Sequence, residues 1–84
     1  MKEKDIIGYI IWIENDGTDW IARGHSMYST FMECYEKVLA ITTSKNYTNP
    51  VTSLSTAIAD INKHGACCIN NKKDEKIWIK VIYN

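Results

Sequence analysis

The sequence is poor in the features that most often disclose a function. Its longest uncharged apolar run, Ile6 to Ile13, has eight residues, against the roughly 20 that a helix needs to cross a bilayer, so no membrane span is expected. The three cysteines, Cys34, Cys67 and Cys68, are odd in number and two are adjacent, which makes a poor disulfide framework and suits a reducing compartment. One proline and four scattered glycines leave no glycine-rich phosphate loop and no low-complexity linker. The formal charge is zero, without the strongly basic balance typical of nucleic-acid-binding domains. That neutrality hides an asymmetry: residues 1–44 hold four Lys/Arg against seven Asp/Glu, and residues 45–84 hold six against three.

The first apolar run sits between charges, in MKEKDIIGYIIWIEND. No small-residue cleavage site follows it, so it reads as a strand rather than a signal peptide. The expected location is the cytoplasm, where Asn46-Tyr47-Thr48 is a chance match to a glycosylation acceptor. There is one arginine to nine lysines, with thirteen isoleucines and seven asparagines. Lysine, isoleucine and asparagine have AT-rich codons, and this composition points to a low-GC bacterium or to a phage or plasmid of one.

What is present is globular. Eighty-four residues, 45% hydrophobic and 24% charged with nine aromatics, suit a single domain over 1–84 with one core. IIGYIIWI and DWIARG are β-branched and aromatic runs flanking Asn15-Asp16-Gly17, a strong hairpin signal. Two registers compete. A two-residue loop pairs Ile13 with Trp20, whereas a three-residue loop with Gly17 in a bulge pairs Trp12 with Trp20 and Ile11 with Ile21. The second avoids setting Glu14 opposite Asp19 and is favoured.

From Ser29 the period becomes helical: Phe31, Cys34, Tyr35, Val38 and Ile41 share a stripe, Glu33, Glu36 and Lys37 lie opposite, and Ser29 or Thr30 can cap. Asn49-Pro50 predicts the start of a second helix with Val51, Leu54, Ile58 and Ile61 on its stripe, Lys63 and His64 in its last turn and Gly65 at its end. ACCIN and KIWIKVIYN then form a second hairpin. The predicted architecture is α+β in two layers: a four-stranded antiparallel sheet, β-β-α-α-β-β in the order 2-1-4-3, with two helices on one face.

Two helices can cover only one side of this sheet, yet the first strand is apolar on both. Ile7, Tyr9, Ile11 and Ile13 alternate with Ile6, Ile10 and Trp12. An antiparallel sheet with a solvated face normally alternates apolar with polar, so the second face is expected to meet a partner. Asp19 and Arg23 share a side of strand two with Ile21, and burying such charges unpaired costs more than exposing one isoleucine. Trp12 and Trp20 are therefore expected to point inward. The outer face would show Tyr9, Ile11, Ile13, Ile21, Asp19 and Arg23, with Trp78, Lys80 and Ile82 from strand four.

Candidate chemistry is sparse. Cys67 and Cys68, adjacent on a strand, point to opposite faces and cannot form a zinc knuckle. Nothing marks His25 or His64 as a positioned base for a cysteine nucleophile. Glu33 and Glu36 lie on the solvated face of their helix rather than in an acid/base site. No metal, cofactor or catalytic residue is expected. The sequence reads as a small non-enzymatic protein-binding module whose partner is another protein or a second copy of itself, with Tyr9, Ile11, Ile21, Arg23, Trp78 and Lys80 at the contact. A phage- or plasmid-encoded inhibitor of a host or defence protein is the expected role. The alternative is single-stranded nucleic-acid binding, with Trp78 and Tyr9 stacking on bases and Arg23, Lys72, Lys73, Lys76 and Lys80 following the phosphates.

Overall fold

The computed structural model describes residues 5–15, 18–21, 27–44, 51–71 and 75–84, with 18–21 described in backbone only. Ile6–Asn15 (β1), Ala66–Asn71 (β3) and Glu75–Tyr83 (β4) form the body of an antiparallel sheet in which β4 pairs with both others. The backbone of Thr18–Ile21 (β2) pairs antiparallel with β1. Phe31–Ser44 (α1) and Leu54–His64 (α2) are the two helices. The class is α+β, as the change from strand to helical periodicity predicts. Among the described residues no helix is long and apolar enough to cross a membrane.

The core lies between the helices and one face of the sheet. Ile11 stands opposite Ile79 and Ile13 opposite Ile77 on the two central strands, and none of the four is more than 3% exposed. Cys34, Tyr35 and Val38 of α1 and Ala57 and Ile61 of α2 pack against this row together with Cys67 and Ile69. Each buried isoleucine contributes about 1.5–3 kcal/mol relative to an exposed one, so this row is a principal source of stability. Tyr9 continues it, its ring edge-on to Phe31 at 5.8 Å, and Phe31 in turn stacks on Tyr35 at 5.9 Å.

The helix ends follow from local chemistry. The Thr30 hydroxyl accepts from the Glu33 backbone N–H at 3.2 Å, while the Glu33 carboxylate accepts from the Thr30 and Ser29 hydroxyls at 3.0 and 3.1 Å. These contacts satisfy an orphan donor of the first turn. At the other end of the layer, Gly65 closes α2 at φ 76°, its N–H donating to Ile61 O. That left-handed conformation is one that glycine adopts at little cost.

The second helix begins later than Asn49-Pro50 predicts. Ser53 is its cap, and its side chain accepts from the Thr56 N–H. Val51 instead forms a bridge to Asn70, the Thr52 N–H donates to Ile69 O at 2.8 Å, and its hydroxyl donates to Cys68 O at 2.9 Å. The Tyr35 hydroxyl donates to Thr52 O at 2.8 Å. These bonds hold Val51 and Thr52 extended along the outer edge of β3, which would otherwise present unpaired backbone. Asn49 and Pro50 lie outside the described residues.

The hairpin register also differs from expectation. Ile13 pairs with Trp20 and Trp12 with Ile21, so Glu14 does stand opposite Asp19. On its other side Glu14 pairs with Lys76 of β4, and this neighbouring cation offsets a repulsion worth only some tenths of a kcal/mol. The like-charge pair therefore does not dictate the register, because β4 supplies a cation on the other side of Glu14. Asp16 and Gly17 lie outside the described residues.

Candidate binding face

The pairing of β1 with β4 fixes the face away from the helices. Strand residues alternate sides, and directly opposed residues share one. With Ile11, Ile13, Ile77 and Ile79 buried under the helices, the other side carries Ile10 opposite Lys80, Trp12 opposite Trp78, and Glu14 opposite Lys76. Strand β3 adds Ala66 beside Lys80 and Cys68 beside Trp78. A bulge between Cys68 and Asn70 then turns both Ile69 and Asn70 into the interior, and β3 returns to this side only at the exposed Asn71, opposite Lys76.

The two tryptophans are thus cross-strand neighbours at the middle of the sheet. Both are half-buried, and the helices pack on the other side of the sheet, against Ile11, Ile13, Ile77 and Ile79. The Lys80 ammonium sits 4.0 Å from the centre of the Trp12 ring, a cation–π contact. Trp12, Glu14, Ala66, Trp78 and Lys80 line a shallow cleft of about 260 Å³. A second cleft of about 350 Å³, lined by Asp60, His64, Ala66, Cys67, Cys68 and Trp78, adjoins it at the β3 edge. Near Gly8 the same side is closed: a Cβ there would meet the Met27 side chain and come within 2.9 Å of Tyr28 O.

The arrangement overturns the expected phase of the sheet. Trp12 lies on the open side, and Ile11 and Ile13 lie beneath the helices. The weighing of Asp19 and Arg23 against Ile21 used the short strand β2 as arbiter, whereas Lys76 and Lys80 on a central strand decide the matter. Turning them inward would bury two ammonium groups under α1 and α2, at several kcal/mol each. Trp20 holds the register position opposite Ile13.

Of the six residues expected at the contact, Trp78 and Lys80 lie on the open side and are adjacent there to Trp12. Ile11 is fully buried, which removes it from any surface. Tyr9 packs on Phe31 from the helix side. Ile21 holds the register position opposite Trp12. Arg23, like His25, Lys72 and Lys73, lies outside the described residues. The expected protein contact omits Trp12, Glu14 and Lys76; Lys76 enters the sequence reading only through the nucleic-acid alternative, and Trp12 only through the opposite phase of the sheet, in which Ile10, Trp12 and Trp20 form the uncovered row. The signal that finds them is the Lys76–Lys80 alternation with Ile77 and Ile79, once β4 is paired with β1.

The thiols divide in the same way. Burial pushes Cys34 up to about 12, with Cys67 nearby adding to the shift. Burial likewise pushes Cys67 up to about 12. At neutral pH both are protonated, and a protonated thiol is a poor nucleophile. Cys68, on the open side, is also raised by burial, with Lys76 acting against that and Glu14 with it. Among the described residues no cluster of three or more His, Cys, Asp or Glu could hold a metal ion. Comparison with known proteins finds no match, since no family model fits the chain and no curated protein or solved structure is significantly similar to it.

Proposed function

We propose that the protein is a non-enzymatic binding module that docks a protein partner on the open face of its sheet. The reading takes the sheet as four strands in the order 2-1-4-3 with both helices on one side. One observation carries it: Trp12 and Trp78 lie side by side on the face that the helices leave uncovered. Tryptophan dominates interface energetics when a partner desolvates it, and apolar patches on small proteins usually mark interaction sites. The AT-rich composition supports a phage or plasmid origin, and with it the role of an inhibitor of a host or defence protein.

The test is capture of a partner from extract of the source cell by wild type, Trp12→Ala and Trp78→Ala. The proposal expects a specific protein retained by wild type and lost by both variants, each still folded by circular dichroism. Retention undiminished in both variants would contradict it.

A second reading is favoured by the two lysines flanking the tryptophan pair. Adjacent aromatics with Lys76 and Lys80 on an open sheet can stack on bases and follow phosphates, as single-stranded nucleic-acid binders do. Salt separates the two, because phosphate contacts lose affinity steeply as salt rises and an apolar interface does not.

A further inference from the structure

The geometry points to a second copy of this chain as the occupant of the open face, in a two-fold, sheet-on-sheet dimer. This rests on the docking role proposed above and names the partner.

The argument is one of self-complementarity. Two sheets stacked face to face about 10 Å apart can be related by a two-fold axis lying in the interface and running between β1 and β4. Since β1 and β4 are the central strands, each β1 then lies over β4 of the second copy. Residues that pair across β1 and β4 within one chain therefore meet again between chains. Trp12 faces Trp78 of the second copy, and Glu14 faces its Lys76, each contact occurring twice. Lys80 comes to lie over Ile10, where its methylene stem covers apolar surface while its ammonium keeps the contact with Trp12 of its own chain.

The alternative axis, perpendicular to the strands through the tryptophan row, places Lys80 over Lys76 and Ile10 over Glu14. It sets like charges together and pairs a carboxylate with an isoleucine. The charge pattern thus selects one two-fold arrangement, as an isologous interface requires. The face offers about ten residues, well below the 20 to 30 a side of a standard interface, so the dimer is expected to dissociate in the micromolar range.

Charge reversal tests this in a way that separates assembly from folding. Sedimentation equilibrium of the full chain is expected to show a concentration-dependent dimer. Glu14→Lys alone sets lysine against lysine across the axis, and Lys76→Glu alone sets glutamate against glutamate, so each should raise Kd at least about tenfold. Mixing the two variants restores opposite charges at both contacts, and the mixture is expected to dimerise with a Kd within about threefold of wild type. A mixture that associates no better than its components overturns the proposed dimer.

A wild type that stays monomeric also overturns it, and a hydrophobic dye then shows what survives. Dye binding that Trp78→Ala abolishes leaves the docking face standing without a second copy, whereas no dye binding removes the face as well. If the monomer instead binds a single-stranded oligothymidylate with steep salt dependence, the occupant is nucleic acid and the dimer is rejected.

Discussion

Replacing Ile79 and Trp78 by alanine, one at a time, separates the two sides of the sheet at neighbouring positions of one strand. Ile79 is fully buried beneath the helices, opposite Ile11. Its truncation removes three methyl or methylene groups and leaves a cavity, a loss of about 2–5 kcal/mol. Against a total stability of about 5–15 kcal/mol, of which a chain this short occupies the lower part, that is a large fraction. At about 4–8 °C per kcal/mol for a domain of this size, Tm falls by at least ~8 °C. Trp78 is half-buried, and its truncation removes cross-strand contacts with Trp12 and Cys68, worth about 0.2–1 kcal/mol each, without opening an enclosed cavity, so its loss is expected to be the smaller of the two. Urea unfolding followed by far-UV circular dichroism, which does not depend on the tryptophan removed, measures both. The experiment belongs at a concentration low enough for monomer, because assembly would add its own stabilisation. A Trp78→Ala loss equal to that of Ile79→Ala would refute the assignment of faces.

Three further outcomes follow from the same geometry. Cys34 and Cys67 ordinarily titrate near 9.0 and are pushed up to about 12 by burial, so the folded state retains protons that the unfolded state releases. Stability is then full below about pH 8 and falls between 9 and 12, by at most about 1.4 kcal/mol per pH unit for each thiol. Urea titrations across that range should show it, with a shallower fall in Cys67→Ala. Ser53→Ala removes the cap of α2 and should cost about 1 kcal/mol, read as a lowered urea midpoint; an unchanged midpoint would contradict Ser53 as the cap. Gly65→Ala forces a side chain into φ 76° with its Cβ 3.2 Å from the Tyr83 hydroxyl, and should cost about 1 kcal/mol or more, read as a lowered urea midpoint.

Much of this architecture was legible where the deciding physics is local. The 3.6-residue stripe from Phe31 to Ile41, the Thr30 cap and the Gly65 stop each depend on residues within a turn of one another. The opposite facing of Cys67 and Cys68 needed only the two-residue repeat of a strand. What could not be read was non-local. The start of α2 is set by bonds from Val51 and Thr52 to β3, which no local pattern announces, so Asn49-Pro50 looked like the stronger boundary.

The candidate site shows the same division. Trp78 and Lys80 share the side away from the helices, which is legible in the sequence because Lys80 marks the solvent side of β4 and Trp78 stands two residues away. Tyr9 and Ile11 belong to the opposite side; the charges of the short strand β2 point to the wrong phase because β2 is an edge strand, whereas Lys76 and Lys80 sit on a central one. The phase of β1 follows from the pairing of Trp12 with Trp78, but strand pairing across 66 residues is a tertiary fact.

The central claim is that this chain buries its isoleucine row and leaves its tryptophan pair uncovered. Its most direct test is a methyl and indole NMR spectrum of a charge-reversed monomer, such as Glu14→Lys, with a soluble paramagnetic agent. The account predicts strong broadening of the Trp12 and Trp78 indole signals, and sharp signals from the Ile11, Ile13, Ile77 and Ile79 methyl groups. Tryptophan signals as sharp as those of the isoleucines would mean that the chain shelters both sides of its own sheet, and the docking face would be contradicted.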